Sequence, residues 1–376
     1  MKERTFVAVL ALAVSPVFAP AAVYVSPDGT GDGSSPDSPA ALAASVLSAA
    51  AAGETIVAAA GTYELAETLT LANSSGGALT LQGESRDETV FTLAPGAAGP
   101  LFAVGAGTLR RATIRDVSTA EASVLTLSSG TIDSLTVSGC AATGSGHYIV
   151  YATAAAATVT NCLVANCSSG SILYSDTKDA TLYDTTVSGC AGASGNSYGK
   201  CIRYWTGYRC TVDGFSVSGE EAIFNATLYD CLVSGVTGTV FRSTTLYNST
   251  IRACRGTLND AWKANKYYNC LLWNNLSGTA ANAALSPVAG SLYSCWLEEG
   301  VDSSVGTRAG CLTGTDAKLG ADGTLSAGSP CIDAGDNSYW SSYQSAKRTK
   351  DLFGGERVAN ATIDIGCFEK NGYLDG

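Results

Sequence analysis

The densest group of residues that could carry out chemistry lies between Val187 and Val217. It contains Tyr198, Lys200, Arg203, Tyr204, Trp205, Tyr208 and Arg209. A β-elimination on a uronate-containing polysaccharide needs a base, a cation that stabilises the enolate, and an acid for the leaving oxygen. Lys200, Arg203 and Tyr204 could fill these roles, so they are the candidate catalytic residues. Solvated charges on a surface loop are the alternative interpretation, and the one that we favour.

The same stretch could instead bind a ligand without reaction. Arg203 can hold a carboxylate with a bidentate fork, and Trp205 or a neighbouring tyrosine can offer a flat face to a sugar ring. Further basic residues, Lys178, Arg242 and Lys263, each fall nine positions before an apolar residue of the repeat described below. The candidate ligand-binding residues are Arg203, Trp205, Tyr208, Arg242 and Lys263.

Other acid–base groups are poorly placed for chemistry. Hydrolysis of a glycosidic bond needs two positioned carboxylates, whereas the acidic residues of the middle of the chain are scattered, without a paired-aspartate motif. The single histidine, His147, lies between Gly146 and Tyr148, and we interpret it as a loop or surface residue. A hydrolase is therefore the weaker enzyme hypothesis.

A short sequence repeat indicates which secondary-structure elements must position these residues. An apolar residue is followed by an often aromatic residue, then Asn, Asp or Ser, and five positions after the first comes another apolar residue. The closing residues are Ile114, Val137, Val164, Val187, Val217, Val233, Ile251, Leu272 and Leu297, separated by 23, 27, 23, 30, 16, 18, 21 and 25 residues. Such a unit predicts a β-solenoid built of stacked coils.

Three kinds of residue recur at fixed distances from the closing position. Cysteines lie two before it (Cys162, Cys231, Cys270, Cys295) or three after it (Cys140, Cys167, Cys190, Cys254). Asn, Asp or Ser lies three before it, which predicts a ladder of left-handed turns. Tyrosine lies four before it, at Tyr183, Tyr229, Tyr247, Tyr268 and Tyr293. We interpret the cysteines as buried thiols and the tyrosines as a structural stack, although an outward aromatic row could also hold sugars.

The amino-acid composition narrows the range of possible binding partners. The formal net charge is −11, which argues against a nucleic-acid ligand because binding phosphates needs a basic face. Only 15% of the residues are charged and 42 are glycine, which suits stacked coils with tight turns. No segment after the N-terminal apolar run has the ~20 consecutive apolar residues that a membrane-spanning helix requires.

The N-terminus has the pattern of a secretory signal peptide. Lys2 and Arg4 precede an apolar run over residues 6–14, and small residues at positions 19–21 provide a cleavage site. We therefore predict that residues 1–21 are a signal peptide. The mature protein is expected to be secreted or on the cell surface, with the periplasm as an alternative.

The first part of the mature chain predicts a helical cap. Ser38 is a favoured N-cap residue, Pro39 suits the first helical position, and Gly53 can end a helix. The alanine-rich stretch between them predicts a helix over about residues 39–52. Such a helix would cover the open end of the first coil.

These features together resemble a known superfamily. The motifs are Tyr24-Val25-Ser26-Pro27-Asp28-Gly29, the alanine-rich helix, Gly53-Glu54-Thr55-Ile56-Val57 and Gly61-Thr62-Tyr63. They resemble the N-terminal region of right-handed parallel β-helix proteins of the pectin-lyase-like superfamily. The resemblance implies an all-β, single-stranded right-handed parallel β-helix over residues 22–325 with an N-terminal helix cap. It does not select an activity, because the superfamily includes lyases, hydrolases and adhesins.

The C-terminal residues resemble a second kind of protein. The motifs Ser329-Pro330-Cys331-Ile332-Asp333-Ala334-Gly335 and Ile363-Asp364-Ile365-Gly366-Cys367-Phe368-Glu369 are similar to the closing module of bacterial choice-of-anchor surface proteins. The resemblance implies a closing module over residues 326–376.

Two chemical expectations concern this module. Cys331 and Cys367 depart from the resemblance and are the predicted disulfide, since both flank paired segments in an oxidising compartment. Its acidic residues could bind Ca²⁺, but Arg357 among them favours a structural ion-pair network. We therefore predict no metal site and no cofactor.

The sequence as a whole favours a secreted or cell-surface monomer without catalytic activity that could bind an extracellular polysaccharide or surface glycan. The alternative is a polysaccharide lyase.

Overall fold

The computed structural model describes residues 22–143, 146–192, 199–259, 264–277, 280–281, 290–299, 307–341 and 349–370. These residues form three long sheets, here called A, B and C, and two short helices, α1 (Ala44–Ala49) and α2 (Asn337–Ser341). The predicted signal peptide, residues 1–21, lies outside the described residues. No described helix has the length and apolar character to cross a membrane.

Sheets A and B each form one uninterrupted stack. In stacking order, sheet A contains Ala40–Ala41, Val23–Ser26, Thr55–Ala58, Thr80–Gly83, Thr108–Arg110, Thr131–Asp133, Thr158–Thr160, Thr181–Tyr183, Thr206–Tyr208, Thr227–Tyr229, Thr245–Tyr247, Asn265–Tyr268, Gly290–Tyr293 and Thr307–Ala309. Sheet B contains Gly61–Leu65, Thr89–Leu93, Thr113–Arg115, Thr136–Ser138, Leu163–Ala165, Thr186–Ser188, Thr211–Asp213, Leu232–Ser234, Thr250–Arg252, Leu271–Trp273, Trp296–Glu298 and Leu312–Gly314.

Sheet C is wider, because in several coils a loop divides its strand in two. One row contains Ser118–Thr119, Ala141–Ala142, Ser168–Ser169 and Ala191–Gly192, and the other contains Leu69–Thr70, Phe102–Val104, Ser123–Leu127, Tyr148–Ala152, Ser171–Ser175 and Lys200–Arg203. Both rows join at Ser216–Phe224, which is followed by Thr237–Arg242, Arg255–Asn259, Leu276–Ser277 and Ala280–Ala281.

The chain passes from sheet A to B to C in each turn of the solenoid. All pairings within sheets A and B are parallel, and the same holds in sheet C except for Leu276–Ser277 with Ala280–Ala281. Residues at equivalent positions, such as Val137, Val164 and Val187, are direct partners on neighbouring strands and are buried. The predicted parallel β-helix is confirmed.

Left-handed residues make the turns from sheet A to sheet B. Asn161, Asp184 and Asn269 have φ values of 52°, 48° and 51°, and the whole predicted Asn/Asp/Ser row shares this conformation. These short polar side chains tolerate positive φ better than most others. The predicted turn ladder is confirmed.

The cysteine columns lie just inside the turns. All eight predicted cysteines are buried and unpaired. They also form hydrogen bonds: the Cys231 thiol lies 3.2 Å from the carbonyl oxygen of Tyr229 and accepts from the Cys210 amide at 3.3 Å. In the next coil the hydroxyl of Ser249 takes the same place, donating to Tyr247 O at 2.9 Å and accepting from the Cys231 amide. Thiols and hydroxyls can therefore occupy the same column, because each supplies a donor and an acceptor.

The tyrosine column on sheet A is a continuous stack. Six rings on successive coils lie 4.7–5.1 Å apart with interplanar angles of 9–11°: Tyr183, Tyr208, Tyr229, Tyr247, Tyr268 and Tyr293. Each inner ring therefore covers the faces of its neighbours. This is the structural stack that we predicted, and the ring faces within it are not available to sugars.

One coil has a different register from the predicted one. Val212, not Val217, pairs with Val187 and Val233, so this coil is 25 residues long and not 30. The repeat is hidden here because Gly207 stands where neighbouring coils have Leu182 and Leu228. A Cβ on Gly207 would lie 2.9 Å from the Leu228 side chain, closer than normal contact.

The N-terminal helix is shorter than the predicted 39–52. Residues Ala40–Ala41 form a strand that pairs with Val23–Ser26, and α1 begins only after Ala43, without a side-chain cap. The Ser38 hydroxyl donates to Asp32 at 3.0 Å, so Ser38 is not the N-cap. Strand pairing thus overrides the helix propensity of the first alanines. Leu47 of α1 is buried in the main core.

The C-terminal segment folds back along sheet B. Phe368 and Cys367 pack with Leu232, while Cys331 and Ile365 pack with Leu271 and Trp296, so the segment covers the outer face of several coils. The proposed boundary at residue 326 remains a prediction.

The predicted disulfide between Cys331 and Cys367 is not formed. Both cysteines are buried free thiols, and they lie in separate hydrophobic clusters. The Ile365 amide donates to the Cys331 carbonyl at 2.9 Å, so Ile365 lies opposite Cys331 and Cys367 is two residues further along. That offset directs the two thiols to different clusters.

The predicted ion-pair network around Arg357 is present in part, because Glu369 is the acidic residue of the C-terminal segment that pairs with the guanidinium group. Arg357 is fully buried and donates to Asp230 Oδ1 at 2.8 Å and to Glu369 Oε2 at 2.7 Å. It also donates to the carbonyl oxygens of Asp364, Gly366 and Phe368. The sequence did not indicate Asp230, which we had assigned only to the turn ladder. Burial raises the pKa of Glu369 to about 7, against the opposing effect of Arg357.

Candidate functional site

The central strands of sheet C place five outward side chains on consecutive coils. Tyr151, Tyr174, Arg203, Phe224 and Arg242 are direct partners across the parallel ladder, and all five are partly exposed. Neighbours in such a ladder lie about 4.8 Å apart. We call this row the aromatic–arginine column.

Arg203 lies at the centre of the column. Its guanidinium carbon is 5.0 Å from the ring centre of Tyr174, 5.0 Å from that of Tyr204 and 5.5 Å from that of Phe224. Tyr204 comes directly after the strand and has a φ of 64°, so the turn itself brings its ring beside Arg203. Cation–π contacts of this kind orient the guanidinium, whose N–H donors lie in its plane and suit a planar carboxylate.

Lys200 is not available as a base. It is only 3% exposed, and its Nζ lies 2.7 Å from Glu220 Oε2 and 3.0 Å from Glu221 Oε2. Glu221 in turn accepts from Arg242 Nη1 at 2.9 Å. Burial alone would raise the pKa of Glu221, but the charges of Lys200 and Arg242 lower it below its usual value. Lys200 therefore belongs to a buried ion-pair network and cannot approach a substrate.

Two further ligand-binding candidates, Trp205 and Tyr208, are not brought to this surface. Trp205 is 1% exposed and packs in the core, so it cannot offer a flat face to a sugar. Tyr208 belongs to the tyrosine stack of sheet A. Lys263 lies outside the described residues. Lys178 does not share the row, because Tyr174 is the partner of Arg203.

The aromatic part of the column was missed in the sequence. Counted from the correct closing residue, Val212, Arg203 falls nine positions before it, as Phe224 and Arg242 do in the next two coils. The misplaced coil therefore concealed that Arg203 shares a row with Phe224 and Arg242. Tyr174 could not have been found in this way, because extra residues between it and Val187 break the spacing.

Aromatic side chains dominate the upstream end of the column. The rings of Tyr148 and Tyr174 stack at 4.3 Å with an interplanar angle of 8°, and the ring of Tyr151 lies 5.0 Å from that of Tyr148. The Tyr151 hydroxyl donates to Asp176 Oδ2 at 2.7 Å. Burial, followed by this contact, raises the pKa of Tyr151 above its usual value, so the phenol stays protonated. The surface thus combines fixed aromatic groups with oriented guanidinium donors.

The described residues contain no cluster of three or more His, Cys, Asp or Glu side chains that could hold a metal ion. In the C-terminal segment, Asp351 accepts from backbone amides of residues 353, 355 and 369, and Asp364 from those of residues 333 and 370. These carboxylates therefore accept hydrogen bonds from the backbone amides of the C-terminal segment.

Comparison with known proteins gave structural matches only. The sequence matches no protein-family profile and no curated protein. The fold is similar to the pectate lyase Pel9A (15% identity, TM-score 0.47, 93% of this chain and 96% of that one). It is also similar to a family 6 polysaccharide lyase from Pseudopedobacter saltans (9% identity, TM-score 0.45, 74% and 92%). A protein of Geobacillus virus E2, ORF18, matches at 14% identity and a TM-score of 0.38 over 64% of this chain, which spans 53% of that protein. The assignment of the fold depends on the strand register of the chain itself, and no activity is carried over from these proteins.

Proposed function

We propose that this protein is an extracellular, noncatalytic β-helix protein that binds acidic glycans through the aromatic–arginine column. The observation that carries the proposal is the Arg203 guanidinium, which lies among the rings of Tyr174, Tyr204 and Phe224. A uronate sugar has a carboxylate and apolar ring faces, and this surface offers a partner for each.

The charges near the column favour a modest, salt-dependent affinity. Lys200, Arg203 and Arg242 carry three positive charges, and Glu220, Glu221 and Asp176 carry three negative charges. The charges around the column therefore balance, although the whole chain has a formal charge of −11. Attraction to a polyanion therefore acts at short range, where added salt screens it.

The ion pairs of Lys200 support binding over catalysis. Proton abstraction requires a base that can approach the substrate, whereas Lys200 is buried between two carboxylates. The alternative, a polysaccharide lyase, would generate unsaturated sugar ends. We expect no growth of ultraviolet absorbance when the protein is incubated with polygalacturonate or alginate, with or without Ca²⁺. A growth that Arg203→Ala abolishes would establish the lyase instead.

The location outside the cytoplasm is part of the proposal and is supported by the signal-peptide pattern of residues 1–21. The C-terminal resemblance to choice-of-anchor proteins adds the cell surface as an alternative to free secretion. Fractionation of expressing cells, followed by N-terminal sequencing of the mature chain, tests both points.

The binding test uses affinity electrophoresis in gels that contain polygalacturonate or alginate. We expect Arg203→Ala to weaken binding about tenfold or more, because a charge-assisted bidentate contact contributes roughly 1.5–3 kcal/mol. Arg203→Lys should recover little, since lysine keeps the charge but loses the planar fork. Arg115→Ala is the matched control, because Arg115 is an exposed arginine of sheet B that pairs only with its exposed neighbour.

The result that contradicts the proposal is equal retardation of the wild type and Arg203→Ala, or retardation of neither. Trp205 is left unchanged in this test, because replacing a buried tryptophan would destabilise the fold and confuse the result.

A further inference from the structure

A second concave surface lies on the outer face of sheet B, away from the aromatic–arginine column. It is a groove of about 530 Å³ lined by Arg86, Asp87, Thr136, Asn161, Leu163 and Asp184, among others. Its floor is the outward row Thr136, Leu163 and Thr186 on three consecutive strands. At the usual strand spacing this row is about 10 Å long.

The chain limits the outer face of sheet B on both sides of the groove. Upstream, Arg86 lies across the sheet, donating to Thr136 Oγ1 at 3.0 Å and to the Leu135 carbonyl at 2.7 Å. Downstream, the floor row continues through Thr211 to Leu232, which packs against Phe368 of the C-terminal segment. Arg86 and the C-terminal segment therefore limit the part of this row that a ligand can reach.

The polar groups along its side are held in place. Asn161 and Asp184 are left-handed turn residues, so their side chains start from a rigid backbone. The Asn161 amide donates to Asp133 Oδ1 at 3.2 Å. Arg209 holds both oxygens of Asp184 with a fork of 2.7 and 2.9 Å. Each fixed carboxylate oxygen keeps a further lone pair for a ligand.

We infer that this groove binds a neutral sugar chain. The carboxylates of Asp87, Asp184 and Asp133, which lies beside Asn161, outnumber the guanidinium groups of Arg86 and Arg209, so an acidic polymer gains no net attraction. Fixed carboxylate, amide and hydroxyl groups suit the hydroxyl groups of a sugar, and Leu163 gives the floor an apolar patch. The inference is independent of acidic-glycan binding at Arg203, because the two surfaces lie on different sheets.

The experiment blocks the floor of the groove without disturbing the coil. Leu163→Arg fills the groove with a long charged side chain. Leu163→Thr is the matched control, because the neighbouring coils carry threonine at the same position. Asp87→Asn removes an exposed carboxylate. The probes are a soluble mixed-linkage β-glucan, a galactomannan and a desialylated glycoprotein, which present neutral sugars from different sources, measured by affinity electrophoresis.

We expect at least one probe to retard the wild type and Leu163→Thr alike. Leu163→Arg should weaken that retardation at least tenfold and Asp87→Asn at least threefold, while Arg203→Ala leaves it unchanged. Two results would overturn the inference: no retardation by any of the probes, or retardation that Leu163→Arg does not weaken. The effect of Arg203→Ala on acidic-glycan binding tests only the aromatic–arginine column. The proposals for the column and for the groove can therefore be refuted independently of each other.

Discussion

Arg357 is the side chain whose replacement tests the packing of the C-terminal segment most directly. It is fully buried and joins Asp230 of the solenoid to Glu369 of the segment. Replacing it with methionine keeps much of its volume but leaves two buried carboxylates without their cation. Removing one partner of a buried ion pair costs about 3 to 5 kcal/mol. We expect Arg357→Met to lower the free energy of unfolding by this amount at pH 8.

The same variant should lose less stability in acid. Burial raises the pKa of Glu369 from its ordinary 4.5 to about 7, so between these values the folded protein binds more protons than the unfolded chain. This carboxyl group therefore makes stability fall as pH rises through that window. Without Arg357 the pKa rises further and the penalty at pH 8 grows. At pH 5 Glu369 is mostly protonated, so its share of the loss should shrink to the ~1–3 kcal/mol of an unmade buried hydrogen bond, while the contact with Asp230 is lost at both pH values.

Urea unfolding at pH 5 and pH 8, with Arg115→Met as an exposed-arginine control, measures both quantities. The control should change stability by less than about 1 kcal/mol, as is usual for a surface ion pair. Equal losses for Arg357→Met at the two pH values, or a loss at pH 8 as small as that of the control, would refute this account of the buried network.

Two further predictions concern the cysteines and the faces of the strands. Alkylation of the native protein should modify Cys311 first, because it is the one partly exposed cysteine. Alkylation after unfolding should give thirteen free thiols by mass spectrometry. A recovered Cys331–Cys367 disulfide would contradict the structure. Val233→Asp should lower the free energy of unfolding by several kcal/mol or prevent folding, since it places a charge in the core. Tyr229→Ser should lose only the ring contacts with Tyr208 and Tyr247. Equal falls in melting temperature would show that the inward and outward faces are assigned wrongly.

The sequence predicts the solenoid well because sequence spacing and spatial contact coincide in this fold. Each strand pairs with the equivalent strand of the next coil, so a row such as Val137, Val164 and Val187 is visible as a repeat. The left-handed Asn and Asp residues could also be found, since positive φ restricts which side chains fit. The prediction was wrong in the coil that contains Gly207, where the apolar marker of the repeat is absent.

The candidate site was only partly visible in the sequence. Arg203 and Arg242 were identified as ligand-binding candidates, and the structure places them in one row. The role of Lys200 depended on Glu220 and Glu221, twenty and twenty-one residues away. The burial of Trp205 depended on the turn between the strands Lys200–Arg203 and Thr206–Tyr208, which places this side chain in the core. The residue type alone cannot show whether a lysine such as Lys200 is solvated or belongs to a buried ion pair.

The sequence by itself determined the stacking of coils, the buried rows and the turns, because these follow from local spacing and backbone preference. Only the tertiary structure decided where the C-terminal segment lies. The bond between Arg357 and Asp230 spans 127 residues, and no repeat or motif links the two positions. The pairing of Ala40–Ala41 with Val23–Ser26 likewise overrode a strong helix preference. Such contacts join segments that are far apart in the sequence. Their free energy depends on the folded surface as a whole and not on local propensity.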